Sequence, residues 1–187
     1  MNTILDAWNV VLVLTVVLGT GSSQSAVHPL PPPVAAKTIP CAAPEYHSFD
    51  FWVGDWDAFD IDNPKTRVAH NRVDRILDGC VLLEDYQSTD GEHGQSFTIY
   101  DASRKVWHQT WVTNQGVLLV IEGGMRGGEM VLSGTDRTAD GNERYVQGTW
   151  KPVSGGVREV AVTSVDGGKT WKPWFDIIFR PASETQR

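Results

Sequence analysis

Residues 49–56 read Phe49-Asp50-Phe51-Trp52-Val53-Gly54-Asp55-Trp56, three aromatic rings ahead of a glycine and a fourth two places after it, set among carboxylates. Such a stretch is either an exposed surface that grips a ligand or the head of a barrel whose closed end is plugged by apolar rings. The rest of the chain favours the barrel. From Asp55 onward, short alternating or apolar runs predict strands at about 55–61, 66–76, 80–88, 95–101, 105–113, 116–123, 128–135, 143–151, 156–165 and 171–180. The separators DNP, LDG, STDGEHG, DASRK, NQG, GGMRGG, TADGN, PVSGG and DGG are turn chemistry, mostly short enough for hairpins. Consecutive strands are therefore expected to be antiparallel neighbours, with no room for crossover helices. A sheet of that length hides its edges by closing on itself. The expected fold is all-β: an antiparallel up-and-down barrel of about ten strands, preceded by a short helical turn.

Composition agrees. A chain of 187 residues, 41% hydrophobic and 21% charged, fills the core of one domain. Eighteen glycines and ten prolines suit many tight turns. A formal charge of -7 and a pI near 5.1 leave no basic stripe to displace counterions from a nucleic acid, so no nucleic-acid partner is expected.

The first 40 residues stand apart. Val10 to Leu18 reads VVLVLTVVL, the length of a signal-peptide apolar region and short for a bilayer span. The small residues GTGSSQSA come next, with cleavage options near Ser25 or Ala26. The preceding MNTILDAWN has no Lys or Arg and carries Asp6, so a misplaced start or a retained anchor stays open as an alternative to export. HPLPPPVAAKTIP is too rich in proline for helix or central strand and reads as an extended linker. The expected organisation is a signal peptide over 1–26, a linker over 27–40, the barrel over 41–182 and a tail over 183–187. The mature protein would be periplasmic or secreted, without a stable membrane span. In that compartment Cys41 and Cys80 are expected to bridge, closing a loop of about 40 residues; two unpaired thiols are the alternative.

One local motif is specific. Ser164-Val165-Asp166-Gly167-Gly168-Lys169-Thr170-Trp171 resembles the Asp-box of sialidases, in which Asp accepts backbone N–H bonds and Trp packs beneath the turn. It stabilises a hairpin there and is not catalytic. It occurs once here, whereas a propeller would repeat it.

Gly54-Asp55-Trp56 at the head of the first strand, after one apolar helical turn, resembles the signature of calycins, the lipocalin and fatty-acid-binding superfamily. The resemblance implies that Trp56 lies across the closed end and that Arg180, in FDIIFRP, stacks on its ring. Over residues 41–181 the chain is also similar to uncharacterised, often exported bacterial proteins of the DUF1579 type, through FDFWVGDW, RILDGCVLLE, YDASRKVWHQTW, EGGMRGGEMVLSG and DGGKTW followed by FD. That resemblance implies a lipocalin-like barrel and carries no activity or catalytic residue.

The interior is where a ligand would sit. Strand 105–113 places Trp107, Gln109, Trp111 and Thr113 on one face, and His108, Thr110 and Val112 on the other. With the tryptophan face inward, two flat walls flank an amide, a chemistry for aromatic or ring-shaped ligands; ordinary core packing is the alternative. The candidate ligand-binding residues are Arg72, Glu84, Tyr100, Trp107, Gln109, Trp111, Glu122 and Trp150, with Tyr145, Gln147 and Asp176 as further inward polar groups. Arg72 and Glu84, on adjacent strands, would by default form an ion pair. No cofactor is expected. The five histidines show no metal-ligand spacing, and neither His70 nor His108 has surroundings that match a haem-binding barrel. GxSxG, Walker A and a dinucleotide fingerprint are absent; Glu84 with Asp176 is the one imaginable acid/base pair. Three functions remain: an exported binding protein for a hydrophobic or aromatic small molecule, a cyclase or isomerase using the cavity, or an envelope domain with a filled barrel.

Overall fold

Ten strands pair in chain order in the computed structural model, which describes residues 39–138 and 140–183. They are β1 (Gly54–Asp60), β2 (Arg67–Ile76), β3 (Val81–Ser88), β4 (His93–Asp101), β5 (Val106–Thr113), β6 (Leu118–Arg126), β7 (Glu129–Arg137), β8 (Glu143–Val153), β9 (Gly156–Ser164) and β10 (Lys172–Pro181). Each is antiparallel to the next, and β1 also pairs with β10, so the sheet closes into an up-and-down barrel. The expected leader and most of the linker lie outside the described residues. No described helix is long and apolar enough to cross a membrane.

One boundary moved for a steric reason. The run GGMRGG reads as one turn, yet β6 continues through Gly123-Gly124-Met125-Arg126 and turns only at Gly127-Gly128. Both turn glycines have positive φ (59° and 88°), the demand of a two-residue hairpin matched to strand twist. Gly123 serves close approach instead: a Cβ there would lie 2.0 Å from the Val131 carbonyl oxygen.

The stretch 49–56 closes one end. Two 3₁₀ turns, Pro44–His47 and Asp50–Trp52, lay Phe49 and Trp52 across the barrel, both fully buried. Phe49 packs against Phe51, Trp107 and Trp150, with ring centroids 5.3, 5.8 and 5.6 Å away. Trp52 stacks on Trp56 and meets Phe179 edge-on. The polar edges of these rings are satisfied, as burial requires: Trp56 Nε1 donates to the Trp52 carbonyl (3.0 Å) and Trp107 Nε1 to Ser48 Oγ (2.9 Å). Arg75 clamps the plug from β2, donating to the Tyr46 carbonyl at 2.9 Å and pairing with Asp50. The Cys41–Cys80 disulfide ties the incoming chain to the β2–β3 connection, a bond that persists in oxidising compartments.

Trp56 therefore lies across the closed end, but Arg180 does not stack on it. Phe179 points inward, so its neighbour Arg180 faces out, opposite Asp57. Its guanidinium lies 4.9 Å from the Phe59 ring centroid and donates to the Pro64 carbonyl (3.1 Å). The 164–171 turn forms as the motif implies. Asp166 Oδ1 accepts from the Lys169 and Thr170 amides at 3.0 and 2.9 Å, and Trp171 Nε1 donates to the Gly168 carbonyl.

Candidate functional site

At the end away from the plug the barrel holds a cavity of about 350 Å³. Strand alternation supplies its walls. β5 contributes Gln109 and Trp111, β6 Leu119 and Ile121, β8 Val146 and Trp150, β3 Glu84 and Tyr86, β9 Glu159, and β10 Phe175 and Ile177, with Trp174 and Glu92 also in its lining. Two glycines make the tryptophan walls fit. A Cβ on Gly94 would fall 2.2 Å from the Trp111 ring, and one on Gly148 2.7 Å from the Trp150 ring, so each indole lies flat against bare backbone. Tyr86 meets Trp111 edge-on at 6.0 Å.

A polar chain runs along one wall, from β2 to β5. Glu84 is almost fully buried; its Oε1 accepts from Asn71 Nδ2 (3.0 Å) and its Oε2 from Ser96 Oγ (2.7 Å). Gln109 Nε2 donates onward to Ser96 Oγ (3.3 Å) and Thr98 Oγ1 (3.1 Å). Such satisfied networks fix side-chain positions inside a low-dielectric interior. Across the lumen, half-buried Glu159 sits opposite Trp150 in the β8–β9 ladder. Burial, then the charge of Glu84, drives the Glu159 carboxyl well above the usual carboxylate range. The Trp150 indole N–H opposes that rise, although Nε1 has no hydrogen-bond partner of standard geometry. Burial also raises Glu84, against its bonds from Ser96 and Asn71. The Tyr86 hydroxyl is pushed up to about 12 by burial and by the carboxylates at Glu159, Glu92, Glu84 and Asp90. The chamber is thus lined by acidic groups whose burial favours their protonated forms.

Of the candidates from sequence, Glu84, Gln109, Trp111 and Trp150 meet in this cavity. Trp107 and Tyr100 also face inward, but at the plugged end, Tyr100 packing edge-on against Tyr46. Arg72 and Glu122 lie on the outer wall. Arg72 sits opposite Asp85 and donates to Asp74 (2.7 and 3.2 Å), so the expected Arg72–Glu84 pair does not form. Glu122 is held at about 2 by bidentate bonds from Arg104, with His108 beside it. Asp176 is likewise outside, bound by Arg158, which removes it as an acid/base partner for Glu84. Tyr145 and Gln147 alternate outward against Val146 and Gly148. His70 and His108 also face out, each against a carboxylate, and neither reaches the cavity. Among the described residues no group of three or more His, Cys, Asp or Glu is arranged to hold a metal ion.

Sequence reasoning missed Glu159, Tyr86, Asn71 and Trp174. The signal for Glu159 was present. A two-residue Ser154-Gly155 turn pairs Val153 with Gly156, and counting back along that register sets Glu159 against the inward Trp150. No protein-family model matches this chain, and no curated protein matches it.

Proposed function

We propose that the protein is an exported binding protein for a hydrophobic or aromatic small molecule, held in the cavity of a calycin-type barrel of the DUF1579-like kind. The observation that carries the reading is the cavity itself: about 350 Å³ walled by Trp111, Trp150, Trp174 and Tyr86, open at one end and plugged at the other. Ligand sites are concave, mostly apolar and furnished with a few fixed polar groups, and this volume suits a small ring-bearing molecule. The apolar leader and the disulfide support export. The cyclase or isomerase reading is weaker, because both oxygens of Glu84 are engaged by Asn71 and Ser96 and are not poised for proton transfer. A filled barrel is disfavoured by the volume left between the tryptophan walls.

The test is a titration of the purified protein with a panel of aromatic and hydrophobic compounds, following tryptophan emission. Saturable quenching or a blue shift with at least one ring-bearing ligand is expected, since Trp111, Trp150 and Trp174 line the chamber. A flat response across the panel refutes the reading.

A further inference from the structure

We propose that the cavity selects an organic cation: an ammonium group on a small aromatic or apolar body. The inference rests on the cavity being a binding site and adds the charge of what it binds. The lining contains three carboxyl groups, Glu84, Glu92 and Glu159, and no Lys, Arg or His. The nearby guanidinium groups are engaged with other carboxylates: Arg72 with Asp74, Arg158 with Asp176. Arg144, whose guanidinium lies 4.8 Å from the Trp174 ring centroid, is bound to Asp136. A carboxylate ligand would find carboxyl groups and no cation to pair with, whereas an ammonium can pair with any of the three.

The aromatic walls serve the same end, because indole and phenol faces attract cations, tryptophan most strongly. A second observation concerns a buried donor. Trp150 is 3% exposed and its indole N–H has no hydrogen-bond partner of standard geometry; it sits in the chamber wall beside Glu159, where it favours the ionised form of that carboxyl. The Gln109 amide nitrogen donates to Ser96 and Thr98, so what that side chain has left for a guest is its carbonyl oxygen, an acceptor.

The groups facing Glu159 are Glu84 and Tyr86 from β3, Glu92 from the β3–β4 connection and Trp150 from β8, and none of them is cationic. In these surroundings Glu159 holds its proton more tightly than a free carboxyl. An entering ammonium favours the carboxylate form, and a proton held there leaves to solvent.

Isothermal titration of the purified protein at pH 7.5 with 4-phenylbutylamine, 4-phenylbutanol and 4-phenylbutyrate separates the outcomes. The amine is expected to bind at least tenfold tighter than the alcohol, and the butyrate weakest. Glu159→Gln should reduce the amine-to-alcohol preference to threefold or less. Equal binding of amine and alcohol, or tighter binding of the butyrate, overturns the cation proposal and leaves the binding reading standing. Failure of all three to bind, with tryptophan emission unmoved, overturns both. If Glu159→Gln does not fold, the three ligands on the unaltered protein still decide.

Discussion

Glu159 offers a test that needs no ligand. Its carboxyl lies inside the barrel, across from Glu84, and burial and that neighbouring charge raise its proton affinity in the folded state only. In the unfolded chain it titrates near the ordinary glutamate value of 4.5. A carboxyl raised on folding keeps its proton in the native state after the unfolded chain has lost it. Its contribution to stability is therefore complete below the unfolded value and is lost as pH rises toward the folded one. Over that window one differential proton is worth about 1.4 kcal/mol per pH unit, and Glu159, only half-buried, should deliver less than this limit. Glu159→Gln removes the titration and keeps the shape. Urea unfolding at intervals from pH 4 to pH 9 should give similar stabilities for variant and parent at pH 4, and a widening advantage to the variant above pH 5. Stability curves that run parallel across the range, within about 0.5 kcal/mol, would refute the placement of an uncompensated carboxyl in the chamber.

The remaining expectations concern the plug. Phe49→Ala removes a fully buried ring that touches Phe51, Trp107 and Trp150, and should cost about 3–5 kcal/mol by urea denaturation. Opening the Cys41–Cys80 bridge frees a loop with a sequence separation of 39, and a paired Cys41→Ser, Cys80→Ser variant should lose about 4 kcal/mol on the chain-entropy account. The same bridge predicts an intact mass unchanged by alkylation without reductant, and a gain of two adducts after reduction.

The architecture was largely legible because turn chemistry and alternation are local. Gly127-Gly128 and Ser154-Gly155 dictate their hairpins, and the aromatic run at 49–56 has a single place to hide in a closed sheet. Facing was harder. In β2 the apolar residues Val68 and Val73 lie on opposite parities, so alternation alone does not reveal that Ala69, Asn71 and Val73 form the inner set and Arg72 the outer. A phase error of one residue moves every side chain through the wall. The same error exchanged inner for outer at Glu122 and Asp176. Arg180 was assigned by resemblance to an indole on the other side of the sheet. Trp111 was found because β5 alternates, with Trp107, Gln109 and Trp111 on one face, whereas Glu159 lies between Arg158 and Val160 in a strand with apolar residues on both parities, and β3, which opens Val81-Leu82-Leu83, hid Tyr86 in the same way.

The β1–β10 seam joins strands from opposite ends of the domain, with Trp56 opposite Pro181. Every other pairing links neighbours in the chain and can form as the chain emerges, but this one must wait for the last strand. Until then β1 and the newest strand are both open edges, able to pair with another chain. A nonsense mutation or proteolytic cut before β10 would thus do more than shorten the protein: it would leave a sheet with two adhesive borders and the apolar lining exposed. The final strand acts as the fastener of the molecule, and the loss of a few residues there should appear as aggregation and turnover rather than as a weakened monomer.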